Sequence, residues 1–336
     1  MRIAIVGSRS FDSLEFNLQE SFSYNGYACE VFDIYDTWYY NINPLRKYTY
    51  IFDWLGRRYS DKYDQMVFQR LRKKVLNYRP DLVIGIYRFI HPEFVKSIKD
   101  ARIKIIHINP DALTTFEYQQ LFVEPYHIYF TKDPYILNFM RNNLKLNVKL
   151  YNEAFNIRTH KKPLLDKRAC EDEMKIDVST YGTMYPYRSR MLSHLIGKDY
   201  NLKVYGVKPH RFYNSILDDA YQNEYIVGER KSRILYGSKI VFNQMHYAEI
   251  YSVNNRFFEV NGSGAFQLSD YRPILKDLLP IDPEYVSFKS IDEGVEKIRY
   301  YLAHSQERID IAGKVYNYSI QHFTYDHLIK YILENI

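Results

Sequence analysis

The sequence predicts an α/β protein of two βαβ domains, and three observations carry that prediction. Short apolar runs rich in Val, Ile and Phe alternate with longer helical stretches along both halves of the chain, as parallel strands buried by helices on both faces do. A polar, charged passage over residues 159–175 separates the two series and reads as a linker. The length of 336 residues exceeds one small core and suits two domains of roughly 150 residues each.

In the first half, residues 3–6, 28–32, 82–86, 103–108 and 128–131 are largely apolar and β-branched, and are predicted as strands. In the second half the same pattern restarts at 176–181, 202–205, 240–242, 265–268 and 286–288. Residues 318–336 read as one amphipathic helix that offers Phe323, Leu328, Ile332 and Ile336 for burial. The expected boundaries are a first domain over 1–160, a linker over 161–175, a second domain over 176–317 and a terminal helix over 318–336. No internal repeat of solenoid period is found. Sheets of this kind bind ligands at the carboxyl ends of their strands.

Composition narrows the class. Charged residues at 26% and hydrophobic residues at 46% are those of a soluble globular protein. No window approaches the ~18 uninterrupted apolar residues of a membrane span. The opening run has one basic residue and reads as a strand without a signal-peptide cleavage site. Cys29 and Cys170 lack the spacing of a disulfide framework or a cysteine metal site, so a reducing cytoplasm is the expected home. A formal charge of +6 favours anionic partners, with peripheral contact to an anionic membrane among them. The basic residues are dispersed, and the densest cluster, over 70–74, reads as a solvated helix face. The 35 tyrosines include a crowded stretch over 35–50, which suits either stacking on bases and sugars or plain packing.

The most informative segment spans 254–270. An apolar helical turn carrying Arg256 and Glu259 runs through Gly262 and Gly264 into a short strand. Arg256 and Glu259 stand three apart, on one helical face. Asn254 and Asn255 sit where a helix begins, and its exposed N–H groups attract phosphate. The glycines allow a tight reversal or a close ligand approach. The same residues also read as a surface ion pair followed by a helix stop.

Several chemistries lose their usual support. After the first strand, Gly7 is followed by Ser8, Arg9, Ser10, Phe11 and Asp12, without the further glycines of a dinucleotide fingerprint. The P-loop, the H-E-x-x-H zinc motif and the G-x-S-x-G elbow are likewise absent from the sequence.

What remains is an ordered series of blocks. Residues 176–183 (IDVSTYGT) lead to Tyr187 and Arg188; 202–206 (LKVYG) and 236–243 (YGSKIVFN) follow; then come the Arg256 to Gly264 segment and a closing 321–325 (QHFTY). This order resembles the nucleotide-binding half of GT-B glycosyltransferases, in particular the glycosyl transferases group 1 type family that includes the spore maturation protein CgeB. In the first half, Arg79, Pro80, Asp81 and the strand behind them resemble a family strand entry, and 107–111 (HINPD) a strand end that reaches the cleft.

The resemblance implies two Rossmann-like domains facing across a cleft, with the last helix crossing back to the first domain. It implies that Glu259 accepts hydrogen bonds from ribose hydroxyls, a fitting acceptor for a diol. Gly182 and Thr183, with Arg188 behind them, match the loop bordering the donor diphosphate, where Arg would neutralise charge on the leaving phosphate. Arg188 and Arg190 also read as a solvated helix start. Asn255 and Arg256 join this donor set, and Asn243 contacts donor or acceptor or simply forms a turn.

Retaining relatives often carry a second Glu eight residues before the ribose Glu; Tyr251 stands there in this chain, with Glu249 out of register. An inverting enzyme instead needs a base from the first domain. Asp111 is the leading candidate, since Pro110 breaks the strand before it, followed by Asp12 and His107. Asp12 also reads as a helix cap and His107 as a core imidazole.

No metal is expected, because GT-B enzymes generally use basic residues and helix N-termini at the diphosphate. There is no D-x-D, and Asp218, Asp219 and the acidic run 171–173 read as solvated surface. The expected activity is transfer of a sugar from a nucleotide diphosphate sugar to an acceptor hydroxyl on a glycan, a lipid-linked sugar or a protein, without a nucleic-acid partner. The alternatives are a same-fold sugar-nucleotide epimerase, a DNA-modifying glycosyltransferase, and a non-catalytic nucleotide-sugar-binding protein.

Overall fold

The structure, a computed structural model, describes residues 1–38, 46–111, 119–123, 125–208, 212 and 214–336. Tyr39 and Tyr40 of the tyrosine-rich stretch lie outside them. The chain divides into two compact units, one of Met1–Asn152 with Ile329–Ile336, the other of Glu153–Leu328.

The first unit is a six-stranded parallel sheet in the order β2-β1-β3-β4-β5-β6. Its strands are β1 (Arg2–Val6), β2 (Ala28–Phe32), β3 (Leu82–Gly85), β4 (Lys104–Asn109), β5 (Ile128–Thr131) and β6 (Val148–Leu150). Its helices are α1 (Leu14–Tyr24), α2 (Arg46–Tyr59), α3 (Asp61–Tyr78), α4 (Pro92–Asp100) and α5 (Pro134–Asn142). The continuous apolar character of β1 has its cause in burial on both faces: Ile3, Ala4, Ile5 and Val6 are all enclosed. Helix starts follow side-chain chemistry. The Ser13 hydroxyl accepts from the Phe16 amide of α1 at 3.2 Å, and Ser60 does the same for Tyr63 in α3 at 3.3 Å. β6 escapes sequence reading because three residues with a central lysine show no pattern of their own; its register against Tyr129, Phe130 and Thr131 makes it a strand.

The second unit opens with α6 (Lys167–Met174) and holds a five-stranded parallel sheet in the order β11-β10-β9-β7-β8. The strands are β7 (Ile176–Tyr181), β8 (Leu202–Tyr205), β9 (Ser238–Asn243), β10 (Gln267–Asp270) and β11 (Ser287–Phe288). Between and after them run α7 (Pro186–Ser193), α8 (Gly228–Gly237), α9 (Asn255–Gly262), α10 (Leu275–Leu278), α11 (Ile291–Ala303), α12 (Ser305–His322) and α13 (Tyr325–Glu334). Val178, Ile240, Phe242 and Leu268 form the centre of its core. Strand order reverses between β7 and β9, so the crevice at their carboxyl ends is the place where such sheets bind ligands.

Two expectations are corrected here. The charged passage read as a linker contains α6, whose first amides bond the Asp166 carboxylate and which packs inside the second unit. Its Glu171, expected in solvent, is buried between Lys167 at 2.7 Å and the guanidinium of Arg308, whose second nitrogen lies 3.0 Å from Glu171 Oε2. Mutual compensation is what lets three charges leave water. The helix expected over 318–336 is two helices. At Phe323 the carbonyl accepts from the Phe155 amide at 3.0 Å, the Tyr325 amide donates back to Phe155 at 3.1 Å, and Thr324 bonds His327 to restart the helix as α13.

Candidate functional site

The segment singled out in the sequence lies at the β7–β9 switch point. The Asn254 side chain caps α9, accepting from the Phe257 amide at 3.1 Å, and itself is held by Asn243 at the end of β9 through a pair of 3.1 Å bonds. Asn243 also donates to Gln267 at 2.6 Å, and Gln267 reaches the Phe257 carbonyl and Asn261. This buried amide network ties α9 to β9 and β10. Asn243 therefore has a positioning place in the unit, neither a turn nor an open ligand contact.

Glu259 is 5% exposed and points at the end of β7. Its Oε2 accepts from the Tyr181 hydroxyl at 2.7 Å; its Oε1 accepts from Lys231 Nζ at 2.8 Å and Asn255 Nδ2 at 3.0 Å. His160 Nε2 stands 3.9 Å from the same oxygen. Arg256 does not pair with Glu259 as a surface ion pair. Its NH1 donates to the Tyr181 carbonyl at 2.7 Å and its NH2 to the Gln244 carbonyl at 2.5 Å, so one side chain spans the ends of β7 and β9.

Arg188, buried in the first turn of α7, donates to the Thr183 carbonyl. Gly182 lies between the two arginines: a Cβ there would meet Arg188 NH1 at 3.3 Å and Arg256 Cδ at 3.6 Å. Its φ of +110° suits glycine, and Gly206, at φ +131°, packs so closely on the Gly182 carbonyl that a side chain would collide with it. Among the described residues neither arginine has a carboxylate partner within salt-bridge range. Desolvation pushes both guanidinium pKa values down, Arg256 to about 9 with the Arg188 charge adding to the effect. Both remain cations at neutral pH. Arg188 Nε and both amide atoms of Gln244 are buried without hydrogen-bond partners. Orphaned polar atoms of this kind gather where a polar ligand belongs. An unpaired double cation held by backbone carbonyls is chemically an anion site.

The two glycines after Glu259 serve packing. A side chain on Gly262 would run into the Phe155 ring, and Gly264, at φ +77°, turns the chain out of α9. Arg190 is exposed on α7. Glu249 is buried and accepts from Ser252, while Tyr251 is exposed.

The three acid–base candidates of the first unit differ in character. His107, on β4, is 0% exposed, with Nε2 3.3 Å from the Tyr87 carbonyl. Burial pushes its pKa down to about 3. It is a neutral core imidazole, enclosed away from any acceptor, which corrects its place among the bases. Asp111 is partly exposed and ion-paired to Arg88, with its backbone fixed by Asn109. Asp12 adopts a left-handed backbone and accepts from Asn17 at 3.3 Å; the helix cap is its neighbour Ser13.

Sequence reasoning missed Tyr181, Lys231, Gln244 and His160. Only Lys231 carried a usable signal, a lysine on the same helical stripe as the apolar Ile234 and Leu235. The others reach Glu259 or Arg256 from 75 or more residues away, or sit at a strand end without a motif.

Residues 188–334 match a family described as glycosyl transferase-like. Spore protein CgeB of Bacillus subtilis is 22% identical over 237 residues, which is 61% of this chain and 73% of that protein. Among solved structures, sucrose-phosphate synthase from Thermosynechococcus elongatus superposes with a TM-score of 0.72 at 10% identity, covering 99% of this chain and 97% of that one. HepE of Anabaena in complex with UDP-glucose superposes with a TM-score of 0.68 at 11% identity, covering 100% of both chains. The fold is thus the GT-B glycosyltransferase fold, and the resemblance to CgeB is borne out.

Proposed function

From the match of residues 188–334 to a glycosyl transferase-like family, we propose that this chain transfers a sugar from a nucleotide diphosphate sugar to an acceptor hydroxyl. One observation carries the reading: Arg188 and Arg256 bring two cations without carboxylate partners to Gly182, at the strand ends, with the buried Glu259 one helical turn from Arg256. HepE, of the same fold, is known in complex with UDP-glucose, which supports a uridine donor as the first to test.

In this reading the diphosphate lies against Arg188, Arg256 and the Gly182–Thr183 turn. As the glycosidic bond breaks, the leaving phosphate gains negative charge, and fixed cations in a desolvated site lower the barrier without reorganising. They supply the charge a metal ion would bring, so no metal is required. Glu259 binds the ribose diol, with a ribose hydroxyl taking the place of the Asn255 amide; Lys231 and Tyr181 keep the carboxylate aimed. If the reaction inverts configuration, Asp111 is the proposed base and Asp12 the second candidate.

A thermal-shift series with UDP, GDP, CDP, ADP and dTDP sugars tests this. One nucleotide is expected to raise Tm in the wild type, by the equivalent of about 2.7 kcal/mol at a hundred times Kd. Glu259→Ala should lose the shift, and EDTA should leave it intact. No shift with any donor overturns the reading.

A further inference from the structure

The crowded aromatic stretch of the first half has no part in the donor site. Its described members, with Trp54 from α2, line a cavity of about 740 Å³ that lies wholly within the first unit. That volume is within the range of small-ligand sites, roughly 300–1,000 Å³. Tyr35 packs edge-on against Trp38 at 4.5 Å between centroids, and Trp38 tilts against Tyr50 at 5.0 Å. Tyr50 and Trp54 are each 45% exposed although both are large aromatics. Packing alone does not account for aromatic faces left in water beside a cavity.

The polar groups around these rings have a character opposite to that of the second unit's arginines. Arg57 is ion-paired to Asp64 at 2.6 Å, Arg88 is paired to Asp111, and His91 lies 3.1 Å from Asp61. Arg58 lies over the Trp54 ring at 5.6 Å, so the guanidiniums of Arg57, Arg58 and Arg88 stand beside the carboxylates of Asp61, Asp64 and Asp111, and the cavity presents donors and acceptors together with little net charge. Flat apolar rings beside paired donors and acceptors suit a ligand with apolar C–H faces and hydroxyls around its edge.

We propose that this cavity binds a neutral glycan, with a sugar ring stacked on Trp54 and Tyr50 and its hydroxyls bonded by the Arg57–Asp64 pair. That the glycan is the acceptor of the transfer rests on the proposed function above; that it binds here does not.

Trp38 and Trp54 are the only tryptophans of the chain, and both line this cavity, so intrinsic fluorescence reports on it directly. Neutral gluco-, galacto- and N-acetylglucosamine oligosaccharides would be titrated up to 10 mM, beside oligogalacturonate and vesicles of phosphatidylglycerol with phosphatidylcholine. At least one neutral oligosaccharide is expected to shift the emission saturably. Trp54→Ala, read through Trp38, should weaken that binding about five- to tenfold, and Trp54→Phe should restore most of it, since one aromatic contact carries that much. Thermal melting of both variants checks that they fold. The proposal is overturned if no neutral oligosaccharide binds, if Trp54→Ala binds as the wild type does, or if only oligogalacturonate or the anionic vesicles change the signal. Glycan binding without any nucleotide-sugar shift would leave this site standing and remove the transferase reading; the reverse result would remove this site alone.

Discussion

Arg256 is the residue on which the proposed donor site turns. Its guanidinium is fixed by the carbonyls of Tyr181 and Gln244 and stands beside a second cation, without a carboxylate partner among the described residues. Arg256→Lys keeps the charge but loses the planar fork that spans Tyr181 and Gln244. It should weaken UDP binding on the order of 10- to 100-fold, as loss of hydrogen bonds to a charged group does, measured by calorimetry. His107 gives a prediction of another kind. Its folded pKa, about 3, lies below the ordinary value of 6.5, so between those values the unfolded chain binds a proton that the folded chain refuses. The stability it contributes is complete above pH 6.5 and falls as pH drops towards 3, by up to roughly 1.4 kcal/mol per unit. His107→Asn should flatten urea-measured stability across that window relative to the wild type. Arg256 and Glu259 were legible because helical spacing puts them on one face. Tyr181 was not, because nothing local in a sequence records a partner 78 residues away.

At the scale of the element, α9 holds the site together. Asn254 caps it and also joins the Asn243–Gln267 amides, so Asn254→Ala should cost about 1 kcal/mol for the cap alone, and more through the network. Gly262→Ala brings a methyl into the Phe155 ring; overpacking of this sort costs roughly 1–3 kcal/mol. Chemical denaturation of the two variants checks both values. The strands were readable from their apolar runs, since a strand buried on both faces has no polar face to confuse the pattern. β10 was displaced by two residues, from 265–268 to Gln267–Asp270, because Ala265 and Phe266 are buried in the turn out of α9 and are as apolar as a strand. α6 was hidden for the opposite reason: its buried face is made of Lys167, Cys170 and Glu171, and paired charges look like solvent-facing ones until their partners are known.

For the whole molecule, the division into two α/β units was visible in the alternation of runs, and the two sheets agree with it in strand type and direction. The partner that fixes α6 was not visible, since Arg308 lies 137 residues from Glu171. Arg308→Met removes one charge from a buried group of three and leaves Glu171 with Lys167 alone; breaking such a set costs about 3–5 kcal/mol, visible as a lower midpoint in urea. The terminal residues Ile329–Ile336 belong with the first unit although the chain before them belongs to the second. An amphipathic pattern shows that a helix buries one face but not which core receives it.

The central claim is that Arg188 and Arg256 form a diphosphate site, and calorimetric titration of UDP against uridine tests it most directly. The account predicts that UDP binds the wild type at least about 100-fold more tightly than uridine, and that the gap shrinks to roughly tenfold or less in Arg188→Ala and in Arg256→Lys. Equal affinities for UDP and uridine, or a gap that both variants preserve, would contradict it.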